Sequence, residues 1–80
     1  MTTFEKLKPI VLEQMRDRTM PVEIDSRLKE DLAFASLQMI GLVTAIESTF
    51  GINLEIEDFS ESNFISVHSL VKMLEGKNAI

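Results

Sequence analysis

The side chain best placed to do chemistry in this chain is the hydroxyl of Ser36. It opens the run SLQMIGLVTAIESTF, which is apolar at helical spacing and stops at Phe50-Gly51. Serine is a favoured helix N-cap because its oxygen accepts a hydrogen bond from a free N–H of the first turn. Glycine just past the last periodic residue is a common stop. The pattern predicts one helix over residues 36–50, with Ser36 as its N-cap. The N-terminal end of a helix favours anions through its unpaired N–H groups and its dipole, so a phosphoryl group on Ser36 would sit in a favourable field. The partners that would make this hydroxyl a nucleophile are missing. The only histidine is His68, which reads as an ordinary surface or rim residue; there is no cysteine, and no G-x-S-x-G elbow surrounds Ser36. One histidine and no thiol leave only carboxylates for a metal, without the spacing of a calcium loop, and three scattered glycines make no phosphate loop. No catalytic residue and no metal ligand is assigned, and the chain does not read as an enzyme.

The elements that must position Ser36 follow from spacing. Thr2 and Glu5 have the T-x-x-E separation of a capping box, and Phe4, Leu7, Ile10, Val11 and Met15 continue at intervals of three and four. A helix over about residues 3–17 is predicted, kinked or restarted near Pro9. Residues 18–35 lack a period and contain Pro21, so they read as a long loop, anchored by Val22, Ile24, Leu28, Leu32 and Phe34. Its mixed charges, Glu23 to Asp31, read as a solvated face. On the central helix, Met39, Leu42, Val43, Ile46 and Phe50 share the side expected to be buried, with Ile40 at its edge. Leu37, Gly41, Thr44 and Ser48 form an opposite strip that is small and uncharged. Gly41 reads either as a tolerated surface glycine or as a means of letting a partner approach closely. Ile52, Leu54 and Ile56 suggest an extended linker, followed by one short helical turn at residues 57–61 with Phe59 and Phe64 as aromatic plugs. Ser66 caps a last helix with Val67, Leu70, Val71 and Leu74 inward, ended by Gly76. The expected fold is all-α, a small four-helix bundle of three main helices and one short one, with a long loop after the first.

Composition limits the partners. A chain of 80 residues buries only about 60% of its unfolded surface, too little for a deep private active site. The net charge of −5 and the pI near 4.7 argue against nucleic acid and against anionic membrane surfaces. They allow a partner with a basic docking face. The absence of cysteine suits a reducing compartment, and neither a membrane-length apolar run nor a signal-peptide pattern is present. A cytoplasmic monomer is the expectation.

LAFASL followed by QMIGLVTAIESTFGI resembles the phosphopantetheine attachment region of acyl carrier proteins. That family's pattern is a Leu-rich loop, Asp-Ser-Leu, and a helix ending in Glu-x-x-Phe; Ser36, Leu37, Glu47 and Phe50 match it, and the likeness extends over nearly the whole chain, residues 1–80, as one carrier-like domain. Ala35 departs from it, standing where the family has aspartate. The resemblance implies a non-catalytic carrier with 4′-phosphopantetheine attached covalently to Ser36, holding thioesters on a thiol that the arm supplies. It implies a phosphopantetheinyl transferase and acyl- or aminoacyl-loading and condensing enzymes as partners. Leu37, Gly41, Thr44, Ser48 and Glu47 would meet those partners, and Met39, Val43, Ile46, Phe50 and Phe59 would form the core or an acyl pocket. EDFSESNF is similar to the third-helix region of stand-alone carriers in specialised pathways, such as polyketide or nonribosomal peptide synthesis. Relatives serving fatty-acid synthesis usually carry several acidic residues along the central helix, and this chain does not. Glu47, Glu57 and Asp58 could nevertheless form an acidic patch lower on that side. A housekeeping fatty-acid carrier and an unmodified helical adaptor stay open as alternatives.

Overall fold

The computed structural model describes residues 2–15 and 19–77, and among these it is all-helical, with no strand. α1 spans Thr3–Gln14, α2 Ser36–Phe50 and α3 Val67–Gly76. Two consecutive 3-10 turns, Ile56–Phe59 and Glu61–Phe64, occupy the place of the single short helix expected. α1 starts as its capping box directs: the Glu5 N–H donates to the Thr2 hydroxyl at 3.1 Å and the Thr2 N–H donates to the Glu5 carboxylate at 2.8 Å. The helix runs unbroken through Pro9, which is exposed, and stops at Gln14 because Met15 is extended. Residues 16 and 17, which the periodicity had included, lie outside the described residues. α3 is capped by Ser66, whose hydroxyl accepts from the Ser69 N–H at 3.1 Å, and its stripe Val67, Leu70, Val71, Leu74 is buried as the spacing predicts.

α1 is the helix that packs closely on both α2 and α3. The core is Leu7, Ile10 and Val11 from α1 with Met15 just after it, Leu42 and Ile46 from α2, the α3 stripe, and four residues of the long connection: Val22, Leu28, Leu32 and Phe34. That connection is therefore a strap through the core rather than a surface loop. Ile24 is the exception among its expected anchors, 41% exposed, because the turn closed by the Ser26 N–H to the Glu23 carbonyl carries it outward. The strap also meets the segment before α3 in an isolated antiparallel bridge, Arg27 to Ser66.

The face expected to be buried on α2 divides in two. Leu42 and Ile46 have no exposure at all, whereas Met39, Val43 and Phe50 are only partly buried. Phe50, expected on the buried side, sits at the edge of the core with the Lys6 ammonium 4.8 Å from its ring centroid. Replacing Ile46 by alanine is expected to cost about 2–5 kcal/mol, the usual loss for a fully buried aliphatic. Phe50→Ala is expected to cost less than Ile46→Ala despite removing more atoms, as two urea unfolding midpoints would report.

Candidate functional site

α2 opens one residue earlier than a Ser36 cap requires. Ala35 is the N-cap residue, extended at φ −104° and ψ −177°, and Ser36 is the first residue of the helix. Alanine has no oxygen with which to cap, so only half of a capping box forms: the Ala35 N–H donates to Gln38 Oε1 at 3.1 Å. The first backbone bond of the helix runs from the Met39 N–H to the Ala35 carbonyl at 3.0 Å. The N–H groups of Ser36, Leu37 and Gln38 are the orphan donors every helix start leaves. No acidic side chain lies in this first turn, and Ser36 is exposed, with no hydrogen-bond partner for its hydroxyl among the described residues. A reachable hydroxyl beside free N–H groups at the positive end of a 15-residue helix suits a phosphodiester.

Beside this serine runs an apolar groove of about 480 Å³, with Met39, Ile40, Val43 and Thr44 of α2 on one side. Phe59, Ser60, Glu61 and Phe64 of the 3-10 turns form the other side, and Lys29 of the strap lies at the rim. At 100° per residue Ser36 lies at the azimuth midway across Met39, Val43, Ile40 and Thr44, about one turn or 5 Å before Met39 and Ile40 and about two turns before Val43 and Thr44. An arm leaving Ser36 and folding back would meet the groove first. Of the expected pocket residues, Met39, Val43 and Phe59 line it; Ile46 belongs to the sealed core and Phe50 to the α1 side. Ile40, placed at the edge of the buried face by its spacing, is 65% exposed on the groove rim. Phe64 also lines the groove.

The strip expected to meet partners also divides. Leu37 is 74% exposed, and Thr44 and Ser48 are exposed, the Thr44 hydroxyl donating to the Ile40 carbonyl at 3.1 Å. Gly41 is not a free surface position. It is half-buried, with the carboxamide of Gln14 on α1 close against it, where an added Cβ would push that flexible side chain aside. Glu47 is likewise occupied: its carboxylate accepts from the Leu54 N–H at 2.9 Å and ties the linker to the end of α2. Gly51 completes that end at φ 66°, a left-handed conformation suited to glycine.

The possible acidic patch is partly spent as well. Asp58 pairs with Lys77 at 2.8 Å, across from the first 3-10 turn to the end of α3. The hydrogen bond from Lys77, then the one from the Glu55 N–H, holds the Asp58 carboxyl below its ordinary 3.8. The bond to Asp58 raises Lys77 above 10.5, with Glu55 and Glu57 adding to the effect. The depressed acid contributes its stability above about pH 3.8 and loses it as pH falls further. The raised base contributes below 10.5 and loses its share as pH rises beyond, so the tie holds throughout the neutral range.

Residues 5–74 match the family described as the phosphopantetheine attachment site. The chain belongs to this family of acyl carrier proteins. It is 38% identical over 78 residues to an acyl carrier protein of Campylobacter hominis, covering 98% of this chain and 96% of that one. It is 40% identical over 68 residues to an acyl carrier protein of Aster yellows witches'-broom phytoplasma, covering 85% and 87%. An acyl carrier protein of Campylobacter fetus is 33% identical over 76 residues, covering 95% and 96%. The protein is thus a non-catalytic carrier whose cofactor is covalently attached 4′-phosphopantetheine. When attached, the arm supplies the reactive thiol, and so a carrier without cysteine is chemically complete. No helix among the described residues is long and apolar enough to cross a membrane.

The missing cap oxygen has a measurable consequence. Ala35→Asp is expected to stabilise the protein by about 1 kcal/mol near neutral pH, the usual value of an N-cap side chain. A carboxylate held by the helix start has a depressed pKa, so the gain should be full above about pH 4 and fade as pH falls below it. Paired urea titrations at neutral and acidic pH check both parts.

Proposed function

We propose that Ser36 carries the phosphopantetheine arm and that the groove beside it shelters the acyl or aminoacyl thioester the arm holds. The observation that carries this reading is the exposed, unpartnered Ser36 hydroxyl at the free N-terminal end of α2, inside the span matched to the family. The chain then acts as one carrier domain, a cytoplasmic monomer, loaded by a phosphopantetheinyl transferase and used by acyl- or aminoacyl-loading and condensing enzymes. Incubation with coenzyme A and a broad-specificity transferase should raise the intact mass by one phosphopantetheinyl group. Ser36→Ala should abolish that gain, and digestion should place the group on the peptide containing Ser36. Addition at another serine would overturn the assignment, and no addition by several active transferases would favour an unmodified adaptor.

The reading extends to a specialised pathway with a dedicated set of partners, in preference to housekeeping fatty-acid synthesis. Its support is the outer surface of α2, where Leu37 and Ile40 stand exposed and no acidic residue faces solvent except the half-buried, hydrogen-bonded Glu47. Such a face recognises partners by close apolar packing rather than by steering charge. Thr44 and Ser48 border this face, and beside Gly41 the Gln14 carboxamide of α1 comes close to the helix. Affinity for the native pathway enzyme is expected to change less than about threefold as salt rises through about 0.15 M, where exposed charges are screened beyond roughly 8 Å. Leu37→Ala is expected to weaken binding about tenfold, the loss of a central apolar contact. Steep salt dependence with a harmless Leu37→Ala would instead show docking through Glu55, Glu57 and their neighbours.

A further inference from the structure

We propose that Phe64 is the end wall of the groove and sets the length of acyl chain this carrier shelters; the inference rests on the groove being the cargo site. Two recesses meet at this residue. The larger is the groove itself, and the smaller, about 150 Å³, is lined by Lys29, Glu30, Glu61, Phe64 and Ile65. Lys29, Glu61 and Phe64 border both. Lys29 and Glu61 are exposed, charged side chains that solvent can carry aside, whereas Phe64 is half-buried and packed against the core. Its ring also stacks on Phe59, with centroids 6.0 Å apart and planes 16° from parallel.

The backbone holds the ring in place from both sides. Before it, the Asn63 carbonyl accepts from the Ser69 hydroxyl at 2.7 Å, and after it the Ile65 carbonyl accepts from the Leu28 N–H at 3.1 Å. α3 and the strap therefore both pin the segment that carries Phe64. The chemistry changes at the same place. On the near side a saturated chain meets Met39, Ile40, Val43 and Phe59 and gains from each methylene it removes from water. On the far side Glu30 joins the shared Lys29 and Glu61, and beyond the Phe64 ring Ile65 alone replaces the four apolar residues of the near side. Shape and polarity thus stop the chain at one residue.

The test loads the wild type, Phe64→Ala and Phe64→Trp with straight-chain acyl groups from butyryl to tetradecanoyl, using the corresponding acyl-coenzyme A and a broad-specificity transferase. The Tm of each acylated protein is read against its unacylated holo form. The wild-type Tm should rise with chain length and then level off. In Phe64→Ala the levelling should move to longer chains by about two carbons or more, because the truncated side chain leaves space its surroundings fill only in part. In Phe64→Trp it should move to shorter chains. Should the alanine variant fail to fold, Phe64→Leu should shift the levelling in the same direction by less. Levelling at one common length in the folded variants would overturn the end-wall role while leaving the groove as the cargo site. No rise in wild-type Tm at any length would overturn the groove reading itself.

Discussion

Two backbone hydrogen bonds join the strap to the segment before α3, and both the serine and the groove depend on them. The Leu28 N–H donates to the Ile65 carbonyl at 3.1 Å and the Val67 N–H to the Ser26 carbonyl at 2.9 Å. On the strap side, Leu28, Leu32 and Phe34 are sunk into the core, and the Phe34 N–H closes back on the Leu28 carbonyl at 2.8 Å. These contacts leave little choice for the residue between. Ala33 adopts φ 57°, a left-handed conformation that costs a non-glycine residue about 1–2 kcal/mol, and buried neighbours on both sides enforce it. The strained turn delivers the chain to Ala35 and starts α2 with the Ser36 hydroxyl turned to solvent.

The same bonds reach the other wall of the groove. Ile65 follows directly on the second 3-10 turn, so fixing its carbonyl also fixes the segment that carries Phe64. Ser36 and the segment that carries Phe64 are thus referenced to one point in the fold. The first 3-10 turn is held differently. None of its residues is buried, and its tie to α3 is the ion pair of Asp58 with Lys77. Of the two turns that make up this wall, the second is anchored by core packing of Phe64 and by backbone bonds, the first by an ion pair.

Four of the acidic residues of this protein have structural partners. Glu5 and Asp58 close helix and turn starts, Glu47 ties the linker to α2, and Asp31 accepts from the Arg27 N–H while pairing with the Arg27 side chain. Around Ser36 the exposed groups are aliphatic, Leu37 and Ile40, and the helix end is electropositive.

What the sequence determined by itself was local. The bounds of α2, the left-handed stop at Gly51, the box of Thr2 and Glu5, the Ser66 cap and the inward stripe of α3 were legible because each depends on residues within one or two turns. The place of Ser36 at the start of α2 was legible for the same reason, although Ala35 rather than Ser36 proved to be the cap. Periodicity, however, reports the width of an apolar stripe and not what each part of it meets. Ile46 in the core, Val43 and Met39 on the groove and Ile40 in solvent belong to one stripe; α1 and the 3-10 turns, remote in sequence, separated them. The place of Gln14 beside Gly41 could not be read from spacing, nor the tie of Glu47 to Leu54. The bridge of Arg27 with Ser66 spans 39 positions and left no local pattern to read. The tertiary structure decided these placements, because they are contacts between segments whose meeting no short-range spacing encodes.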